Sequence, residues 1–420
     1  MKLSPLQQYG MVTANYWAFT LTDGALRMLV VFHFHQLGYS TLEVASLFLF
    51  YEFFGVLTNL CGGWIGARYG LRLTLWVGTL MQIGALLMLI PVASSWPKLI
   101  SVIYVMFAQA ISGIAKDLNK MSAKSAIKTV VATNPHAAKE ENQQLFRWVA
   151  ILTGSKNALK GVGFFLGGLL LTALGFNAAV AWMAAGLAIA FLVTLVLPAE
   201  MGKMKAKPAF SSLFSKSKAI NLLSLARFFL FGARDVWFVV ALPVFLEASL
   251  GWSFWEIGGF LGLWVIGYGI VQASAPSLRK LWGQSSTPGP GAVQFWSALL
   301  TSIPALIAVA LWRDVDVWVA ITAGLTAFGV VFAMNSSIHS YMVLAYTDQE
   351  NVSMNVGFYY MANASGRLVG TLLSGAVFML GRGPTEGMQA CLFVSSILVL
   401  LSWLSSLQLP TVRQFARDEI

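Results

Sequence analysis

Charge is what this sequence has least of. Only 10% of its 420 residues are charged and 57% are hydrophobic, with a mean hydropathy of +0.72. A soluble domain carries roughly a quarter charged residues, so the composition excludes that class and points to a polytopic membrane protein. Cysteine is nearly absent. Cys61 and Cys391 lie far apart with no CxxC or Cys/His spacing, so neither a structural disulfide nor a thiol metal site is expected. The four histidines, His33, His35, His136 and His339, have no carboxylate-rich or serine motif beside them. No catalytic residue, metal ligand or cofactor is therefore assigned, and an enzyme is not expected. His33 and His35 are read as interfacial residues at an outer helix end. Acidic residues number 17 against 27 basic ones. Much of that surplus lies in loops between apolar runs, so it does not mark a nucleic-acid binder. No loop exceeds the central linker, which argues against a sensor carrying a soluble domain. The opening MKLSPLQQYGM is not expected to be a cleavable signal, because the apolar stretch after it is long and carries Asp23 and Arg27.

Long apolar runs are abundant. A bilayer-spanning helix needs about 20 mainly apolar residues. Spans are expected near 11–36, 42–66, 73–93, 98–122, 145–174 and 177–198, then 220–249, 255–277, 292–312, 317–345, 351–380 and 387–408. That is an all-α protein of twelve transmembrane helices in two sets of six: an N-terminal bundle over 1–199, a basic linker over 200–219, and a C-terminal bundle over 220–420. Lys2, Arg68, Arg72, Lys139, Lys203, Lys205, Lys207, Lys216, Lys218, Arg279, Lys280, Arg413 and Arg417 fall on one side, against Lys98, Arg313 and Arg382 on the other. The positive-inside rule then puts both termini and the linker in the cytoplasm. Trp96, Trp252, Trp255, Trp312 and Trp318 fall at the outer ends, as an interfacial belt would.

The halves repeat. Leu37-Gly-Tyr-Ser-Thr-Leu-Glu43 corresponds to Leu250-Gly-Trp-Ser-Phe-Trp-Glu256, 213 residues later, and Lys160-Gly-Val-Gly163 corresponds to Arg367-Leu-Val-Gly370. Two parallel six-helix halves resemble the major facilitator transporters. The loop Gly63-Trp-Ile-Gly-Ala-Arg68-Tyr-Gly70-Leu-Arg72 is similar to that superfamily's GxxxDRxGRR signature, departing from it at Ala67, where an acid usually helps latch one conformation.

The informative residues are the charges placed too deep to reach water by snorkelling. Asp23 and Arg27 share a face in span one, Glu52 lies within LFLFYEFFGVL, and Arg234, Asp235 and Arg367 sit at span centres. Lys116, Lys120, Lys124 and Lys128 recur every four residues, which stacks their ammonium groups along one helical face. Lys160 is followed by only 16 residues to Phe176, about 24 Å of helix at ~1.5 Å per residue, so it is expected inside the membrane, with Lys156 nearer the mouth. A charge at a helix centre costs roughly 2.5–3.5 kcal/mol on insertion scales. Such residues therefore pair, face a wet cavity or bind something. Asp23 with Arg27 is a candidate structural bridge, and Asp235 can neutralise a neighbouring arginine. Even so, Arg27, Lys116, Lys120, Lys156, Lys160, Arg234 and Arg367 make seven cations against four carboxylates, Asp23, Glu52, Asp117 and Asp235. A substrate bearing several negative charges is the simplest counter-ion, because arginine forks suit phosphate or carboxylate oxygens. Glu52, with no basic neighbour in its own span, is a candidate proton carrier or a hydrogen-bonded core residue; Asp23 is a second coupling candidate. Asn363, with Asn355 and Tyr359, lies near the Arg367 face and reads as a substrate contact or as interhelical glue. Asn335, Ser336, Ser337 and His339 read as cavity lining. Lys124 and Lys128 are expected at the cytoplasmic end.

Three stretches, NYWAFTLTDGALRMLVVFHFHQLGYS, LFYEFFGVLTNLCGGWIGARYG and QAISGIAKDLNKMSAKSAIK, resemble the ArsJ-type organoarsenical exporters, a bacterial branch of the major facilitator superfamily, and the likeness runs through nearly the whole chain. The resemblance implies export of 1-arseno-3-phosphoglycerate across the inner membrane. It also implies a functional link to glyceraldehyde-3-phosphate dehydrogenase, which makes that ester from arsenate, and arsenate resistance as the outcome. It assigns no individual binding residue. An anion with a phosphate and an arsenate fits the cationic excess, and the missing cysteine pair fits a pentavalent oxyanion, since thiols grip trivalent arsenic. Outward movement of one negative charge across an inside-negative membrane releases about 2.3 kcal/mol per 100 mV, so export can run with or without proton coupling. The alternative is an exchanger of ordinary phosphorylated metabolites or phosphate. In either case the expected mechanism is alternating access, with two bundles rocking about a central site.

Overall fold

The computed structural model describes residues 3–39, 47–93, 95–131, 138–201, 217–285, 287–347 and 351–411. Most of the 200–219 linker, Lys2, Thr41–Glu43, His136, Arg413 and Arg417 lie outside these residues, as do the side chains of His35, Lys128, Lys139 and Trp255. The described residues are helical: α1 (Pro5–Gln36), α2 (Leu49–Tyr69), α3 (Leu71–Leu89), α4 (Lys98–Val131), α5 (Ala138–Leu174), α6 (Phe176–Thr194), α7 (Lys218–Phe238), α8 (Ala241–Leu250), α9 (Phe254–Leu281), α10 (Pro290–Trp312), α11 (Val317–Ala345), α12 (Val352–Phe378) and α13 (Pro384–Ser406). Together α7 and α8 make one span, Lys218–Leu250, so the count among the described residues is twelve. Among the described residues, nine spans are apolar and long enough to cross a bilayer by length and composition. The remaining three, α1, α2 and α12, are diluted by the polar residues that matter below, among them Asp23, Arg27, Glu52, Asn363 and Arg367. This is a multi-pass membrane protein.

Two of these helices run past their expected ends. α4 continues to Val131 and α5 begins at Ala138. The span expected at 220–249 is broken at Val239–Val240. Pro243 is the cause: its ring cannot sit against the carbonyl of Val239 and it offers no N–H. The backbone N–H of Ala241, freed by the break, donates to Ser374 Oγ at 3.1 Å.

Turn chemistry sets the helix ends. Gly70, Gly175 and Gly251 take positive φ values of 94°, 74° and 66° after α2, α5 and α8, a region that glycine enters without penalty. Gly38, the counterpart of Gly251 in the repeated motif, takes φ 81° after α1. Ser253 and Glu256 form a capping box on α9, and Asp316 caps α11 through the N–H of Val319.

The chain divides into two compact units. Unit 1 is Met1–Glu141, Ser155–Phe214 and Asp348–Met361; unit 2 is Asn142–Gly154, Ser215–Thr347 and Ala362–Ile420. In unit 1, α4 packs against α1, α2 and α3, and α6 against α1 and α3. Leu26, Leu29, Val30 and Phe34 of α1 join Leu86, Leu89, Val105, Phe176 and Val180 in an apolar cluster. A buried polar seam also joins α1, α3 and α4: Asn15 donates to Thr79 at 2.9 Å and to Asn119 at 3.1 Å, Thr74 meets Ser122, and Ser112 donates to Gln82. Such bonds hold apolar helices together where no hydrophobic force drives them. In unit 2, α13 packs on α7 and α10, and α11 on α9 and α10.

Glycines bring the charge-bearing helices close. In unit 1 a Cβ on Gly163 would stand 2.6 Å from the Leu21 carbonyl, and one on Gly167 would strike that of Ala25, so α5 lies directly on α1. In unit 2 a Cβ on Gly370 would stand 2.6 Å from the Gly232 carbonyl, and one on Gly366 would strike that of Phe228, so α12 lies on α7 in the same manner. Both pairs are spaced i, i+4, the small-residue pattern of close membrane-helix contacts.

Candidate functional site

Among the described residues, each unit brings mid-span charges together in a cluster. In unit 1, Arg27 on α1 places Nη2 3.3 Å from Glu52 Oε1 on α2, and Lys116 on α4 places Nζ 4.0 Å from the other oxygen. Lys116 Nζ also lies 3.7 Å from the centre of the Tyr51 ring and 3.9 Å from Asp117. Lys120 pairs with Asp117 at 2.5 Å and faces the Tyr360 ring at 4.8 Å. On α1, Asp23 accepts a hydrogen bond from the Tyr51 hydroxyl at 2.6 Å and has Lys160 of α5 4.0 Å away. Gly55 makes room for Asp117, whose Oδ2 lies only 2.7 Å from where a Cβ would be.

These pairings replace one expectation. Asp23 meets Tyr51 and Lys160, and Arg27 meets Glu52, so the Asp23–Arg27 bridge is not the one formed. Glu52, read as having no basic neighbour in its own span, takes its partners from neighbouring helices, which periodicity within one span cannot reveal. Lys156, one turn before Lys160, is half-buried in the same unit. Lys124, expected at the cytoplasmic end, keeps only 3% of its surface, and α4 runs on past it to Val131.

In unit 2, Asp235 on α7 is fully buried and holds two arginines. Arg234 donates from Nε at 2.6 Å to its Oδ1, and Arg367 of α12 donates from Nε at 3.0 Å to its Oδ2. Arg234 also lies 4.9 Å from the Phe231 ring centre and 5.7 Å from that of Phe332. Asn363, one turn before Arg367, is 7% exposed, and its side-chain nitrogen has no hydrogen-bond partner among the described residues. Arg227 was not among the expected site residues, yet it is 2% exposed, donates to Ser336 Oγ at 3.0 Å and stacks on Phe231 at 4.0 Å. Its signal was available: it precedes Arg234 by seven residues, two helical turns on the same face. The Asn335–His339 patch is fully buried, with Asn335 bonded to Ser297 and Gln272 to Ser336.

The exposure of these charges is lopsided. Asp235 and Asp117 keep 0% and 2% of their side-chain surface, whereas Arg367 keeps 25%, Arg234 15% and Lys120 10%. At Asp235 and Asp117 a buried carboxylate positions cations that keep accessible surface, whereas Glu52 keeps 23% of its side-chain surface against 15% for Lys116. This arrangement suits an oxyanion, which arginine can meet with paired N–H donors and lysine as a point charge. Among the described residues no group of three or more His, Cys, Asp and Glu side chains could hold a metal ion.

The comparisons agree with this architecture. Solved structures with the same fold include a bacterial homologue of the iron transporter ferroportin in an outward-facing state, with a TM-score of 0.71 and 15% identity, covering 96% of this chain and 99% of that one. The human organic anion transporter MFSD10 (TETRAN) has a TM-score of 0.71 and 15% identity, covering 96% and 100%. The proton:xylose symporter XylE has a TM-score of 0.70 and 12% identity, covering 96% of each. At these identities the likeness concerns fold alone. A comparison with curated protein sequences gives no match. The family model described as Major Facilitator Superfamily matches residues 10–371. The chain belongs to the Major Facilitator Superfamily of membrane transporters.

Proposed function

We propose that this transporter exports a multiply charged organic anion by alternating access, and that the anion is 1-arseno-3-phosphoglycerate. The observation that carries this reading is the burial of Asp235 beneath Arg234 and Arg367, which keep accessible surface while the carboxylate keeps none. Arg27, Lys116, Lys120, Lys156 and Lys160 in unit 1, and Arg234, Arg367 and Asn363 in unit 2, are the proposed substrate-binding groups. Glu52 and Asp23 are the proposed proton carriers, since each already faces a cation that an arriving anion would engage in its place. The arsenate ester is favoured by the sequence resemblance, and the protein then acts after a dehydrogenase that forms this ester in the cytoplasm. Both termini are proposed to be cytoplasmic.

The test is uptake of radiolabelled arsenate into everted membrane vesicles, with and without glyceraldehyde-3-phosphate dehydrogenase, NAD and glyceraldehyde 3-phosphate. Uptake that requires the full mixture supports the arsenate ester, and its loss on collapsing the proton gradient supports the role of Glu52 and Asp23. No uptake in vesicles that transport other phosphate esters would replace this substrate with ordinary phosphorylated metabolites.

A further inference from the structure

A second buried arginine lies away from both clusters. Arg279, in the last turn of α9, is 4% exposed and has no carboxylate partner among the described residues. Its Nη2 donates to the Ser285 carbonyl at 3.1 Å, but its Nε–H is buried without a hydrogen-bond partner. On α10 the indole N–H of Trp296, a group that can only donate, is also buried without one. Both side chains line the same cavity of about 220 Å³, together with Gln284 and Phe295. Two unsatisfied donors and an uncompensated guanidinium at one cavity are costly, because each buried group has given up its hydrogen bonds to water without replacement. An acceptor with negative charge removes all three costs at once.

The surroundings indicate where that acceptor comes from. Phe295, which lines the cavity, is 55% exposed, and Trp282, 47% exposed, packs on Trp296 with ring centres 5.7 Å apart, so apolar side chains of the kind that face lipid border the cavity, with a tryptophan of interfacial type. We propose that Arg279 and Trp296 bind the phosphate group of an acidic phospholipid at this end of unit 2. The chemistry recognised is a phosphate oxyanion. A zwitterionic headgroup would bring a cation for which no described carboxylate is paired with Arg279, so an acidic lipid fits better. The site is independent of the transported substrate and of the clusters that would bind it.

Native mass spectrometry of protein released from nanodiscs of phosphatidylcholine and phosphatidylglycerol tests this. Wild-type protein and Lys280→Gln, an exposed neighbour, should each retain one tightly held phosphatidylglycerol, and Arg279→Gln should retain none. Trp296→Phe, which keeps the ring and loses the donor, should weaken retention about tenfold even if Arg279→Gln fails to fold. Equal retention in wild type and Trp296→Phe, or in wild type and a folded Arg279→Gln, would overturn the proposal. Inorganic phosphate supplies the other arm: if millimolar phosphate raises the melting temperature in phosphatidylcholine nanodiscs and phosphatidylglycerol does not, the site takes free phosphate and the lipid assignment fails.

Discussion

Arg367 on α12 reaches Asp235 on α7 at 3.0 Å, and Lys160 on α5 reaches Asp23 on α1 at 4.0 Å. The two pairs are the same device in the two halves of the chain. In each, a cation on one helix meets an acid on the helix it lies upon, and a glycine three residues after the cation, Gly370 or Gly163, permits the approach. The sequence repeat that aligns Lys160 with Arg367 is therefore a repeat of a charge pair as well as of a helix contact.

Asp235→Asn is expected to release both arginines and leave them poorly compensated. Breaking a buried pair costs about 3–5 kcal/mol, so the melting temperature in detergent should fall and transport should drop at least tenfold. Asp235→Glu should recover part of both, since the charge returns with an imperfect reach. Wild-type behaviour of Asp235→Asn in both assays would remove the positioning role.

Gly370→Val and Gly163→Val should each destabilise by ~1–3 kcal/mol or more, because the new side chain meets backbone carbonyls and not flexible groups. Gly375→Ala, whose Cβ meets nothing within 4 Å, is the matched control and should cost only tenths of a kcal/mol. Thermal unfolding of purified variants would separate them.

Tyr51 does two things, and two substitutions divide them. Tyr51→Phe removes the 2.6 Å hydrogen bond to Asp23 but keeps the ring beneath Lys116, so a loss of about 1–2 kcal/mol is expected. Tyr51→Leu also removes the cation–π contact and should weaken anion binding further. Equal effects would show that the ring contributes nothing.

Lys124 should label slowly with an amine-reactive reagent in folded protein, and Lys280 quickly, because the first is 3% exposed and the second lies on the surface. Comparable rates, read by peptide mass spectrometry, would contradict the burial of Lys124.

Twelve spans were legible because apolar runs of bilayer length carry their own boundaries, and Gly251 and Ser253 mark theirs by turn chemistry. The burial of Asp23 and Asp235 was legible for the same reason: both lie in the middle of a span. Partners were not, because they depend on which helix lies beside which and at what rotation. Hence Arg27 was matched to Asp23 on its own helix when its partner is Glu52 on the next. The break at Val239 was written in Pro243, and Arg227 in its two-turn spacing from Arg234, but both lie in an otherwise unbroken apolar run that reads as one plain span.

Equilibrium binding of a stable bis-phosphorylated three-carbon acid to purified protein in nanodiscs tests the central claim most directly. Wild type should bind it, with affinity falling as salt rises. Lys116→Gln/Lys120→Gln and Arg234→Gln/Arg367→Gln should each weaken binding at least tenfold, which is about 1.4 kcal/mol or more. Unchanged affinity in both double variants, with fold retained, would contradict the assignment of these clusters to the anion.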